Sequence, residues 1–138
     1  FPSYDGNGMY LSLGNILANS KIGMLFIDFE SPHRIRVHGD ATIDESDPLI
    51  SQFAGAQRVV RVAISEVLIN CGRYIHKHQR VEDSRYVPQP GRTPPFPNWK
   101  RIDMIQDTLS PQDRARADAK GGAITQEQYG ELAAKGEF

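Results

Sequence analysis

NGMYLSLGNILANSKIGMLFIDFESPHRIRVHGDATI, residues 7–43 of a 138-residue chain, reads as a helix, a buried strand, a tight connection and an alternating strand. Met9, Leu13, Ile16 and Leu17 recur at i, i+4, i+7 and i+8, one side of a helical cylinder. Ser12, Asn15 and Asn19 form a second stripe, polar but uncharged. Asn7 suits an N-cap and Gly8 leaves main-chain N–H groups open, so this helix start can receive an anion such as a phosphate. An ordinary capped helix with a solvated polar side fits the same residues. Residues 23–29 (GMLFIDF) are apolar nearly throughout and predict a strand covered on both faces. Ser31 and Pro32 break that run. From Arg34 the pattern is two-fold: Ile35, Val37, Gly39, Ala41 and Ile43 face one way, and Arg34, Arg36, His38, Asp40 and Thr42 the other. The small residues at Gly39 and Ala41 predict close approach of a backbone or ligand, and a bulge explains Gly39 equally well.

Further along, Asp47-Pro48 opens a short helix that ends at Gly55. Residues 59–70 (VVRVAISEVLIN) form a long β-branched strand, with Val60, Val62, Ile64 and Leu68 on one face and Val59, Ala63, Val67 and Ile69 on the other. Glu66 interrupts the first face, either as a ligand or ion-pair partner or because strand twist carries it into water. Residues 70–78 (NCGRYIHKH) are chemically dense. His76 and His78 supply at most two metal ligands, so no metal site is assigned, and no activating base stands beside Cys71. Ligand contact suits the patch better: Arg73 toward a phosphate or carboxylate, Tyr74 beside a planar ring. Packing at a strand end accounts for Cys71 and Tyr74 as well.

These residues carry a resemblance. The run 15–43, NILANSKIGMLFIDFESPHRIRVHGDATI, resembles the centre of the pyridoxamine 5′-phosphate oxidase-related, FMN-binding split-barrel family, whose second strand has the form R-Q-V-R-V-E-G. Asn19-Ser20-Lys21 stands at that family's N-P-x-like step, and Asn70-Cys71-Gly72-Arg73-Tyr74-Ile75-His76 resembles the N-C-P-R-Y-I-H run of a bacterial branch. The likeness spans residues 7–78. It implies a mainly β (α+β) fold, a split β-barrel with short connecting helices, to which the helix signatures beyond residue 109 add a C-terminal helical extension. It also implies an FMN-dependent oxidoreductase working as a homodimer, with the flavin at the subunit interface and a small-molecule substrate. Asn7, Ser12 and Asn15 would then hold the phosphate and ribityl end, and Arg34, Arg36, Arg73 and Tyr74 would bound the ring or substrate pocket. Ser12 stands where many relatives carry a phosphate-binding lysine, and Arg34 where the oxidases place a ring-contacting glutamine. The chain begins after the family's first helix and strands, so the N-terminal side of the barrel is expected to be incomplete. No residue is assigned as a catalytic acid or base. The substrate stays open because function belongs to the site. Two alternatives keep the barrel without flavin: a non-catalytic binding module and an assembly subunit.

Composition bounds the rest. Sixteen basic and seventeen acidic side chains nearly cancel, which gives no reason to invoke nucleic acid or a membrane surface. A single cysteine excludes an internal disulfide framework and predicts a reducing, cytoplasmic setting. The expected organisation is a barrel core over 1–78, a proline-rich arm over 79–109 and helices over 110–138. Pro88, Pro90, Pro94, Pro95 and Pro97 predict an arm without regular elements, packing Phe96 and Trp99 on the barrel or on a partner subunit. Ser110-Pro111 and Thr125 through Gln128 carry helix-start signatures, stopped by Gly121-Gly122 and Gly136.

Overall fold

A computed structural model describes residues 1–138. The chain is α+β and divides into two compact units, residues 1–92 and 93–138. In the first, a four-stranded antiparallel sheet curls into a half-barrel with strand order β1-β4-β3-β2. The strands are β1 (Pro2–Ser3), β2 (Lys21–Asp28), β3 (His33–Asp44) and β4 (Arg58–Asn70), and helix α1 (Leu11–Ala18) lies between β1 and β2. Strict alternation in β3 gives the sheet two distinct faces. Val37, Gly39 and Ala41 are the buried residues of β3, all on its apolar face, and α1 packs on this strand.

The β4 pattern departs from simple alternation, and the register explains why. His38 pairs with Glu66 while Gly39 pairs with Ile64, so Ser65 is an extra residue in a β-bulge. Beyond it every side chain changes face. Val60, Val62 and Ile64 therefore share the apolar face with Val67 and Ile69, and Leu68 joins Val59 and Ala63 on the other. This corrects the faces expected from period alone. Glu66 lies on the polar face and accepts from His38 Nδ1 at 3.1 Å. Gly39 is required at the bulge: a Cβ there would press into the Ala63 carbonyl oxygen and lie 2.7 Å from Val62 Cγ1.

The core sits at one end of the sheet. Val59 and Val60 are buried where a 3-10 helix (Pro48–Gln52) packs against β4. Toward the other end the apolar side chains are open: Phe26 is 55% exposed, Ile64 61%, Val67 55% and Ile69 85%. The expectation that residues 23–29 are covered on both faces fails, because β2 is an edge strand with only Ile22 and Met24 half-buried.

Asp47 ties the covered end together. It is buried, accepts the Leu49 N–H at 2.9 Å as the N-cap of the 3-10 helix, and receives Arg61 through two nitrogens. The Arg61 guanidinium first, then the Leu49 N–H, holds the Asp47 carboxyl below the usual carboxylate range. A depressed folded-state pKa makes this stabilisation complete above the ordinary carboxylate value of about 3.9, and it drains away as pH falls through the lower folded value. Asp47→Asn is accordingly expected to lower the urea midpoint at pH 7 and to flatten its decline between pH 5 and pH 3. Parallel acid limbs in the two proteins would count against the assignment.

The second unit has its own core. Phe96, Ile102 and Ala117 are buried, and Ile102 bridges Ile124 in parallel. Helices α2 (Pro111–Ala119) and α3 (Gln126–Ala134) start where Ser110 and Thr125 predict, the second with a full capping box. Lys100 is 1% exposed and donates to Asp113 at 3.0 Å. The proline-rich stretch departs from the featureless arm expected of it. It forms 3-10 helices at Asn98–Arg101 and Asp103–Thr108, and Phe96 is buried within its own unit beneath the Arg116 guanidinium. A 3-10 turn needs only short local bonds, so prolines just before it do not forbid it.

Candidate functional site

The approach to α1 is the most unusual piece of backbone in the chain. Gly8 has φ 74°, and Tyr10, the N-cap, has φ 50°, the only left-handed residue other than glycine. That conformation costs a residue with a Cβ roughly 1–2 kcal/mol and persists where its surroundings hold it. Here the Tyr10 hydroxyl donates to Gln57 Oε1 at 2.9 Å, and the Arg58 guanidinium lies 4.8 Å above the ring. Asn7 does not cap the helix as its position predicts; its Oδ1 accepts the Met9 N–H instead. No side chain caps α1, so the main-chain N–H groups of its first turn stay available.

These residues border an open cleft of about 470 Å³, lined by Phe1 to Tyr4, Gly6 to Gly8 and Tyr10 to Leu13. Asn7 and Ser12 both line it. Asn15 does not. No lysine or arginine side chain lines the cleft, so an anion there would rest on hydroxyls and main-chain N–H groups.

Arg34 sits at the other end of the sheet. It pairs with Ile27 on β2 and Asn70 on β4, ten residue steps before Asp44, or roughly 30 Å along the strand. Its Nε is buried and has no hydrogen-bond partner, and neither has Asn70 Oδ1 directly across the ladder. A buried unpaired donor costs about 1–3 kcal/mol, more when charged, so two orphans on adjacent strands mark this place out. Arg36 is exposed on the same face, opposite Leu25 and Leu68. Arg73 and Tyr74 follow β4 in an exposed turn, Tyr74 at 86%. That turn is fixed to the β2–β3 connection: Gly72 lies against the Pro32 carbonyl, where a Cβ would clash, and the His78 and Phe29 rings stack at 5.2 Å. Cys71 is exposed and its Sγ accepts the Arg73 N–H at 3.4 Å.

The expected site residues thus fall into two groups. Asn7 and Ser12 share a cleft at the covered end, and Arg34, Arg36, Arg73 and Tyr74 belong to the open end. One copy of the chain does not bring the groups together. Tyr10 has no place among the expected site residues, and Asn70, although it opens the dense patch over 70–78, has no site role expected of it. Nothing in sequence signals a left-handed tyrosine, and Asn70 stands opposite Arg34 only in the register that the bulge creates. No group of acidic, histidine or cysteine side chains is arranged to hold a metal ion, and no helix is long and apolar enough to cross a membrane. Against protein-family models, curated proteins and solved structures alike, the chain finds no match.

Proposed function

We propose that this chain is an FMN-binding flavoprotein of the split-barrel type, an oxidoreductase whose flavin lies between two copies. The observation that carries the reading is the orphaned pair, Arg34 Nε and Asn70 Oδ1, at the strand position where the family likeness puts the ring. The pyrimidine edge of an isoalloxazine offers carbonyl acceptors beside an N–H donor, which complements a donor and an acceptor side by side. The α1 cleft suits the other end of the cofactor. Gly8 lets a phosphate approach the backbone, and the uncapped first turn with Ser12 supplies donors at the positive end of a helix dipole.

Bound flavin would supply the redox chemistry, accepting or giving a hydride at the ring. The chain's own part is binding and electrostatics. Arg34 would place positive charge beside a ring that gains electron density on reduction, Arg36 and Arg73 would attract an anionic substrate, and Tyr74 would offer a planar face. The two groups of residues lie at opposite ends of the half-barrel, so a homodimer is the arrangement that joins them.

Purified protein is expected to be yellow, or to take up added FMN with quenching of flavin fluorescence, and its visible absorbance should bleach with dithionite. A colourless protein that ignores FMN would overturn the reading. One observation favours the second reading, a flavin-free binding module: the cleft has no cationic side chain for the phosphate.

A further inference from the structure

Of the four histidines, only His38 is held by a carboxylate. Its Nδ1 donates to Glu66 Oε2 at 3.1 Å across the β3–β4 ladder, and both side chains stay open to solvent. The bulge makes this pair. By period alone Glu66 would join Val62 and Ile64 on the apolar face, and the extra residue Ser65 turns it over to meet His38. Bulges recur beside functional sites because they re-aim a side chain in this way. On its other side His38 faces Gly23 of β2, which has no side chain to cover the ring: a Cβ there would lie 3.4 Å from Cδ2 and 3.7 Å from Nε2. Glu66 therefore occupies one ring nitrogen and leaves Nε2 for a visitor.

The next row along the same face gives that visitor a place to rest. Arg36 stands between Leu25 of β2 and Leu68 of β4, both exposed. No carboxylate pairs with it: Asp40 is engaged by Lys21 and Ser20, and Glu66 by His38. Arg36 and His38 are two residues apart on one strand, so they lie about 7 Å from each other along the face. An unpaired cation, an apolar floor and an open ring nitrogen thus follow one another within the length of a substituted aromatic ring.

We propose that this face binds a flat hydroxy acid, an aromatic ring with an anionic group at one end and a weakly acidic O–H at the other, and that His38 is its proton acceptor. The anion meets the Arg36 guanidinium, the ring lies on Leu25 and Leu68, and the O–H donates to His38 Nε2. The proton passes to Nε2 while its electron pair stays on the oxygen. The imidazolium so formed keeps its Nδ1–H on the Glu66 carboxylate, which makes Glu66 a positioning residue. The charged groups facing the ring are Glu66 from β4, Arg36 and Asp40 from β3 and Lys21 from β2, and Lys21 and Asp40 neutralise each other. The site shares Arg36 with the substrate side of the flavin reading and does not rest on flavin being bound.

The dye 4-hydroxy-3-nitrobenzoate has this shape, and its phenolate absorbs in the visible. Titrated with the full chain just below the pKa of its own phenol, the dye should gain the phenolate band as it binds. His38→Gln should abolish that gain while equilibrium dialysis still finds the dye held through Arg36, and Arg36→Gln should weaken binding by about 10–100-fold. Imidazole nitrogen NMR shifts should place the proton of the neutral His38 ring on Nδ1, and Glu66→Ala should move it to Nε2. A dye that does not bind, a phenolate band that His38→Gln leaves intact, or a His38 tautomer that Glu66→Ala does not alter overturns the proposal. Flavin is read separately: a colourless protein with the full dye response supports the proton acceptor and sinks the cofactor reading, and a yellow protein without that response overturns the proton acceptor alone.

Discussion

Gly39→Ala is expected to destabilise the first unit by about 3 kcal/mol, at the upper end of what overpacking a close contact usually costs. The added methyl has nowhere to go. It meets the Ala63 carbonyl oxygen, fixed by the β3–β4 ladder, and Val62 Cγ1, whose side chain shares the apolar face. Relief requires the backbone at the bulge to move, which undoes the register shift that sorts the β4 side chains between faces. Urea unfolding should show a lower midpoint with an unchanged slope. Gly23→Ala is the control: its Cβ would meet only the His38 ring at 3.4 Å, an ordinary contact on an edge strand. That variant should stay within about 1 kcal/mol of the parent. Equal effects at the two glycines would remove the reason given for Gly39.

Under the proposed flavin reading, Arg34→Ala is expected to weaken FMN binding by about 10–100-fold while leaving the unfolding midpoint of the free protein unchanged or raised. A charge-assisted hydrogen bond is worth about 1.5–3 kcal/mol, which gives that range of affinity. The stability half follows from the orphaned Nε, which makes no hydrogen bond in the free chain to be lost. Arg34→Lys should recover only part of the affinity, because an ammonium keeps the charge but lacks the planar fork. Fluorescence titration with FMN and urea unfolding of the same preparations check both halves. A variant that is destabilised yet binds FMN normally would assign Arg34 to the fold.

Much of the framework could be read in the residues themselves. The alternation from Arg34 to Ile43 gave both faces of β3 correctly, and the Asp47-Pro48, Ser110 and Thr125 helix starts lie where local capping chemistry puts them. These are short-range effects, settled within a few residues. What was illegible depends on contacts distant in sequence. The faces of β4 turned on a single extra residue, visible only once Gly39 is seen under the Ala63 carbonyl. Composition marked residues 23–29 as interior, yet topology made β2 an edge. Asn7 looks like a helix cap, but the left-handed turn at Tyr10 displaces the start by several residues. The family likeness implies one site, and the sheet separates its residues to two ends.

The uneven cover along the half-barrel changes how variation in this protein should be interpreted. Substitutions at Val59, Val60 and Ala41 are filtered by folding itself, since nothing can replace the atoms packed there. Phe26, Ile64, Val67 and Ile69 carry little of that burden in a single copy. If those four stay apolar as the chain diverges, a requirement other than the packing of this unit has kept them so.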